Sequence, residues 1–151
     1  MPSLTFIQLN DNWNADPNVP AVEVHAAGSV IQLCFRLAHW GHPAREDEIG
    51  YLTFDGCQAW RLGATNDEGW FRGQCRYSRL APKWGEFYEL VGDDPLRDQV
   101  SGWRPAPIPE PTDRHFLFYL RDDTFECLAR HWSFERETPT VLIEDVVAAQ
   151  D

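Results

Sequence analysis

The stretch "RDDTFECLARHW", residues 121 to 132, places Glu126, Cys127, Arg130 and His131 within six positions. A thiol beside an imidazole and a carboxylate is the raw material of a cysteine nucleophile, provided a base lies within reach and the thiol ionises easily. "HWGH" spaces His39 and His42 by three, with Glu46, Asp47 and Glu48 just behind, residue types that bind divalent metals. "GATNDEGW" gathers Asn66, Asp67 and Glu68 between two glycines, beside Arg61 and Trp70. On a loop at the end of a sheet those groups could converge on a ligand or partner.

Whether any of these clusters is real depends on the elements beneath them. The residues around Cys127 read as a hairpin, "HFLFYLRDDTFECLARHW", turning over Asp122-Asp123. An even-length turn there pairs Leu120 with Phe125, Phe118 with Cys127 and Phe116 with Ala129, all apolar and on one face. Tyr119 then lies across from Glu126, and His115 across from Arg130, on the other. Since side chains alternate along a strand, Glu126 and Cys127 point to opposite faces. Cys127 sits among phenylalanines, where loss of water disfavours the thiolate, so packing is its expected role. The histidine pair fares no better. Gly41 and Pro43 interrupt any helical presentation, and spacing fixes no third ligand, so a solvated loop and no bound metal are expected. Turn chemistry alone also accounts for residues 66–68, because Asn and Asp cap their own backbone and glycine permits tight turning.

Period-two alternation recurs elsewhere. In "SVIQLCFRLA", Ile31, Leu33, Phe35 and Leu37 share one face. A turn at residues 26–29 would pair Val24 with Ile31 and Val22 with Leu33. Asp55-Gly56 reads as a type I′ hairpin that sets Phe54 against Cys57 and Leu52 against Ala59, with Tyr51 and Trp60 on the far side. "WFRGQCRYS" and "WGEFYELVG" read as further strands. "DDPLRDQVSGW" reads as a short helix with an aspartate cap and a proline in its first turn. Pro105, Pro107, Pro109 and Pro111 mark an extended surface connection. Residues 140–151 fit either a strand at 140–143 or a short terminal helix. The expected fold over residues 1–151 is one mainly β domain: an antiparallel curled sheet, barrel or sandwich, with one or two short helices.

The chain has 151 residues, 43% of them hydrophobic, enough for one core without metal or disulfide support. The four cysteines, at 34, 57, 75 and 127, lack C-x-x-C spacing and are expected as small apolar side chains in a reducing compartment. The beginning of the sequence has no signal-like apolar run, so the cytoplasm is the expected location. A net charge of −11 repels phosphate. It argues against nucleic acid and anionic membrane, and it favours a basic protein partner. Seven tryptophans are many for this length; Trp60 reads on the amphipathic face and Trp132 on the parity of Glu126. Such aromatics can cover a partner or complete a core. Common phosphate-loop, dinucleotide, zinc-protease and serine-hydrolase signatures do not occur, and no cofactor is implied.

Arg61-Leu62-Gly63, Asn66-Asp67-Glu68, Tyr88-Glu89-Leu90, His115 and Phe125-Glu126-Cys127-Leu128-Ala129 follow one another in order. Over residues 50 to 132 this succession resembles a family of small bacterial proteins of uncharacterised activity. The resemblance implies that Arg61, the 66–68 loop, His115 and Glu126 belong together. The chain departs from that pattern with Thr65 in place of a proline and with no histidine after the loop. Two functions follow as expectations. The first is a non-enzymatic, acidic protein-binding module, immunity-like or accessory, able to self-associate through an open sheet edge. The alternative is a small enzyme or ligand-binding barrel using Arg61, Asp67, Glu68, His115 and Glu126, with His115 as the acid–base group.

Overall fold

The computed structural model describes residues 4–64, 81–92, 102–121 and 123–149. Among these the chain forms strands and no helix. In order they are β1 (Leu4–Gln8), β2 (Glu23–Ala27), β3 (Val30–Arg36), β4 (Ile49–Asp55), β5 (Ala59–Ala64) and β6 (Phe87–Gly92). Then come β7 (Arg104–Pro105), β8 (His115–Tyr119), β9 (Asp123–Leu128), β10 (His131–Arg136) and β11 (Val146–Ala149). One antiparallel sheet runs β1-β6-β8-β9-β5-β7 and the other β10-β4-β3-β2-β11. They do not close into a barrel; they pack face to face. Ile31, Leu33, Phe35, Leu52 and Phe54 from the five-stranded sheet meet Trp60, Phe87, Phe116, Phe118, Phe125 and Cys127 from the six-stranded one in a single core. The Phe54 ring lies 5.4 Å from Phe116 and 5.7 Å from Phe125, bridging the two layers. The helix expected at "DDPLRDQVSGW" falls almost wholly on residues 93–101, and the strand "WFRGQCRYS" on 70–78, both outside the described residues.

Alternation places the right faces inward, but the turns differ from expectation. Gly28 adopts φ +59, so β2 and β3 join through a tight two-residue turn. Val24 therefore faces Leu33 and Ala26 faces Ile31. The C-terminal hairpin likewise pairs in a register shifted by two. Leu120 N donates to Asp123 O at 2.8 Å, Phe118 faces Phe125, and Phe116 faces Cys127. An even shift preserves which side chains point inward.

Asp55-Gly56 makes no hairpin. A type I′ turn needs positive φ at both central residues, and only Gly56 (φ +62) has it. The chain instead steps from one sheet to the other: β4 pairs with β3 and β10, while β5 pairs with β9 and β7. Leu52 and Phe54 accordingly face Leu33 and Ile31, Cys57 still enters the core, and Tyr51 and Trp60 lie in different layers. Trp132 likewise turns toward the core, 5.3 Å from Phe87, because the break at Ala129-Arg130 resets the parity it would share with Glu126. The 140–151 segment is neither alternative foreseen. Its strand is Val146–Ala149, antiparallel to β2, and before it residues 141–143 cross the outer face on Gln32. The Gln32 Nε2 donates to Val141 O at 2.9 Å.

The proline segment bends at Pro107-Ile108. It runs along the end of the sandwich, with Ile108 N donating to Gly28 O at 2.8 Å and Glu110 N to Cys57 O at 3.0 Å.

Candidate functional site

Alternation sets Glu126, His115 and Tyr119 on the outer face of the six-stranded sheet. That face is buried. Tyr88, Leu90, Leu117, Tyr119 and Ala81 form a second, smaller apolar cluster there. Beside it lie Arg61 at 3% exposure, His115 at 1% and Glu126 at 0%. The register explains their meeting. β5 sets Arg61 directly opposite Glu126. On the other side of β9, Glu126 faces Leu117 and His115 faces Leu128, so the imidazole reaches the carboxylate diagonally. In the register expected from sequence, His115 would have faced Arg130. The two-residue shift in register brings acid and imidazole together.

Glu126 holds the cluster. Arg61 Nε donates to Oε2 at 2.8 Å and Nη2 to Oε1 at 2.8 Å, the two-pronged geometry in which guanidinium and carboxylate fit best. His115 Nε2 lies 2.8 Å from Oε1. An ionised carboxylate only accepts, so Nε2 is the ring nitrogen that donates. Trp103 lies over the guanidinium at 4.0 Å and meets the His115 ring edge-on at 5.9 Å. Three of the seven residues singled out from sequence thus converge: Arg61, His115 and Glu126. Asn66, Asp67, Glu68 and Trp70 lie outside the described residues. Trp103 escaped the sequence reading because it precedes the proline run and no periodicity assigns it a face.

Chemically, Glu126 is the acceptor that Arg61 and His115 share. Both carboxylate oxygens are occupied and all three side chains are enclosed, so what the contacts supply is cohesion between β5, β9 and β8. Around the corner an open cavity of about 320 Å³ is lined by Glu89, Arg114 and His115, among others. Arg114 is held there by Glu89 through bonds of 2.9 and 3.0 Å, and that pairing raises the guanidinium pKa further above its usual range.

The cysteine reading holds. Cys127 is fully buried with its sulfur 3.3 Å from that of Cys57, and burial, then the neighbouring thiol, pushes its pKa well above the usual range. Glu126, its sequence neighbour, lies on the opposite face. Among the described residues no group of three His, Cys, Asp or Glu side chains is placed to hold a metal ion. His39 stacks on Trp40 with ring centres 3.9 Å apart.

A second concave region was not foreseen. On the outer face of the five-stranded sheet, Glu23, His25, Cys34, Tyr51 and Leu142 line an open groove of about 340 Å³. His25 Nε2 sits 3.1 Å from Glu23 Oε1. Burial, then the Glu23 charge, pushes the Cys34 thiol up to about 12. Beyond the Leu142 rim, Val141, Leu142 and Val146 expose more than half their surface, with exposed Glu144 and Asp145 between them. Nothing in the sequence flagged this surface, because the tail that supplies its rim reads equally well as strand or helix.

Comparison with family models, with curated proteins and with solved structures yields no match. Among the described residues no helix is long and apolar enough to cross a membrane.

Proposed function

We propose that this chain is a non-enzymatic, acidic protein-binding module of the cytoplasm, accessory or immunity-like in role, that docks a basic partner on the outer face of its five-stranded sheet. One observation carries the reading. The ionisable residues best suited to catalysis, Arg61, His115 and Glu126, are buried and bonded to one another inside the molecule. Three of the eight large apolar side chains exposed among the described residues, Val141, Leu142 and Val146, lie instead beside carboxylates, next to Glu23, Glu144 and Asp145. An apolar centre with a charged rim is how protein interfaces are built. The net charge of −11 would speed the approach of a cationic protein and make binding weaken with salt. The test is affinity capture with the wild type, Leu142→Asp and the Glu144→Lys/Asp145→Lys double variant. The expected result is one basic protein retained by the wild type, released by raised salt and lost with both variants. Capture indifferent to the variants would overturn the reading.

A second reading rests on the cavity of about 320 Å³ that reaches His115 and Arg114. Under it the chain binds a small ligand at the end of β6 and β8. A dialysable extract fraction that raises the melting temperature of the wild type, and not of Arg114→Ala, would favour this reading over the first.

A further inference from the structure

We infer that β10 is a self-complementary edge through which two copies of this chain join their five-stranded sheets into one continuous antiparallel sheet. β10 is the outermost strand beside β4. Glu137 N donates to Ile49 O, and that spacing assigns the backbone of residues 131, 133 and 135 to the β4 ladder. The amide and carbonyl groups of Trp132 and Phe134 then point away from the sheet, and among the described residues they have no backbone partner. An unpaired row of this kind is a template for another strand. The far side of the sandwich is blunted instead. There β7 is two residues long and ends in Pro105, and the Arg104 guanidinium reaches across from it to the Val147 carbonyl on β11 at 3.3 Å.

The sequence of the strand selects its occupant. A two-fold axis through Phe134 sets Phe134 opposite its own copy and Trp132 opposite Arg136 of the second copy, while in each copy the Phe134 ring stays stacked on Trp13 at 3.9 Å and the Arg136 guanidinium stays on the Pro43 and Asn12 carbonyls. On the other face Ser133 meets Glu135, and His131 meets Glu137, a hydroxyl and an imidazole each opposite a carboxylate. Neighbouring registers lack this match. An axis through Ser133 opposes Arg130 to Arg136, one through Glu135 opposes two glutamates, and one through Arg136 opposes two arginines. The register centred on Phe134 thus pairs seven residues of each copy without a like-charge contact.

The experiment is sedimentation velocity over a concentration series, with the exposed residue Ser133 varied. Wild type is expected to sediment at twice the 17.4 kDa chain mass in the micromolar range. Ser133→Glu sets two new carboxylates opposite Glu135 of the other copy, one per symmetry-related pair, and should weaken the dimer roughly 2- to 30-fold, from the usual cost of like charges across a strand pair. Ser133→Lys should tighten it by a comparable factor. Circular dichroism and melting temperature confirm that both variants fold. A chain that stays monomeric at 100 µM (about the upper end of an ordinary assay) overturns the inference. So does a dimer that both charges leave unmoved, or move in the same direction.

Discussion

Replacing Glu126 with glutamine probes the buried cluster most directly. The amide keeps the shape of the carboxylate but not its charge, and one of its two terminal atoms becomes a donor. Glu126 accepts from Arg61 Nε, Arg61 Nη2 and His115 Nε2, each at 2.8 Å. Whichever way the amide is turned, an NH₂ group faces at least one of these donors, and Arg61, at 3% exposure, loses the Glu126 counter-charge. Breaking a buried pair by removing one partner costs about 3–5 kcal/mol. Small domains are stable by roughly 5–15 kcal/mol in total. At about 2–4 °C per kcal/mol for a chain of this size, the melting temperature should fall by roughly 6–20 °C. Urea unfolding followed by tryptophan fluorescence gives the free energy, with the midpoint moving and the slope unchanged. The double variant Arg61→Met/Glu126→Leu, which removes both charges, should regain most of the loss, short of the one bond His115 forfeits. If Glu126→Gln costs less than about 1 kcal/mol, as an exposed pair would, the account of a dehydrated network joining three strands is wrong.

The buried thiols should resist labelling: at pH 8 a maleimide is expected to leave Cys34, Cys57 and Cys127 unmodified in the native protein and to react with all three in urea, as mass mapping of the peptides would reveal. Cys34 also sets an alkaline limit. Its folded pKa of about 12 lies above the ordinary thiol value of 9.0, so its contribution is whole below pH 9 and is lost as pH rises from 9 to 12, where the unfolded chain has already released the proton. Cys34→Ala should flatten that part of a stability–pH curve measured by urea titration. Gly56→Ala is expected to destabilise by at least about 1 kcal/mol, since left-handed backbone already costs an L-residue that much, and the added carbon would fall 2.9 Å from Arg130 Cδ. An unchanged urea midpoint would contradict the tight crossing described between the sheets.

Much of the fold is legible in single residues. The parity of Phe116, Phe118, Phe125 and Cys127 is enough to separate Glu126 from its neighbouring thiol, and a register shifted by two leaves that parity intact. Asp55-Gly56 misleads because the dipeptide reports only that the chain turns there. The direction is set by what Gly56 meets, the aliphatic stem of Arg130 from seventy-odd residues away. Alternation puts polar residues on the second face, but it records which side a residue takes and not what covers that side. Leu117, Tyr119 and Tyr88 on the same side were the sign that it, too, is packed. Arg61 and Glu126 can be grouped from sequence only through their place in a recurring motif order. Their pairing across β5 and β9 depends on a register that no local signal fixes.

The step from one layer to the other at residues 55–57 has a consequence for how the chain must assemble. β4 emerges with one flank satisfied by β3, and its other flank waits until residues 131–136 are made. β1 likewise waits for residues 87–92, and β5 for 123–128. Partnerships so distant in sequence delay the reward for closing each loop, and proteins dominated by them fold in milliseconds to seconds rather than microseconds. During synthesis most of these strands are therefore half-satisfied, completed almost together once residues 123–149 leave the ribosome.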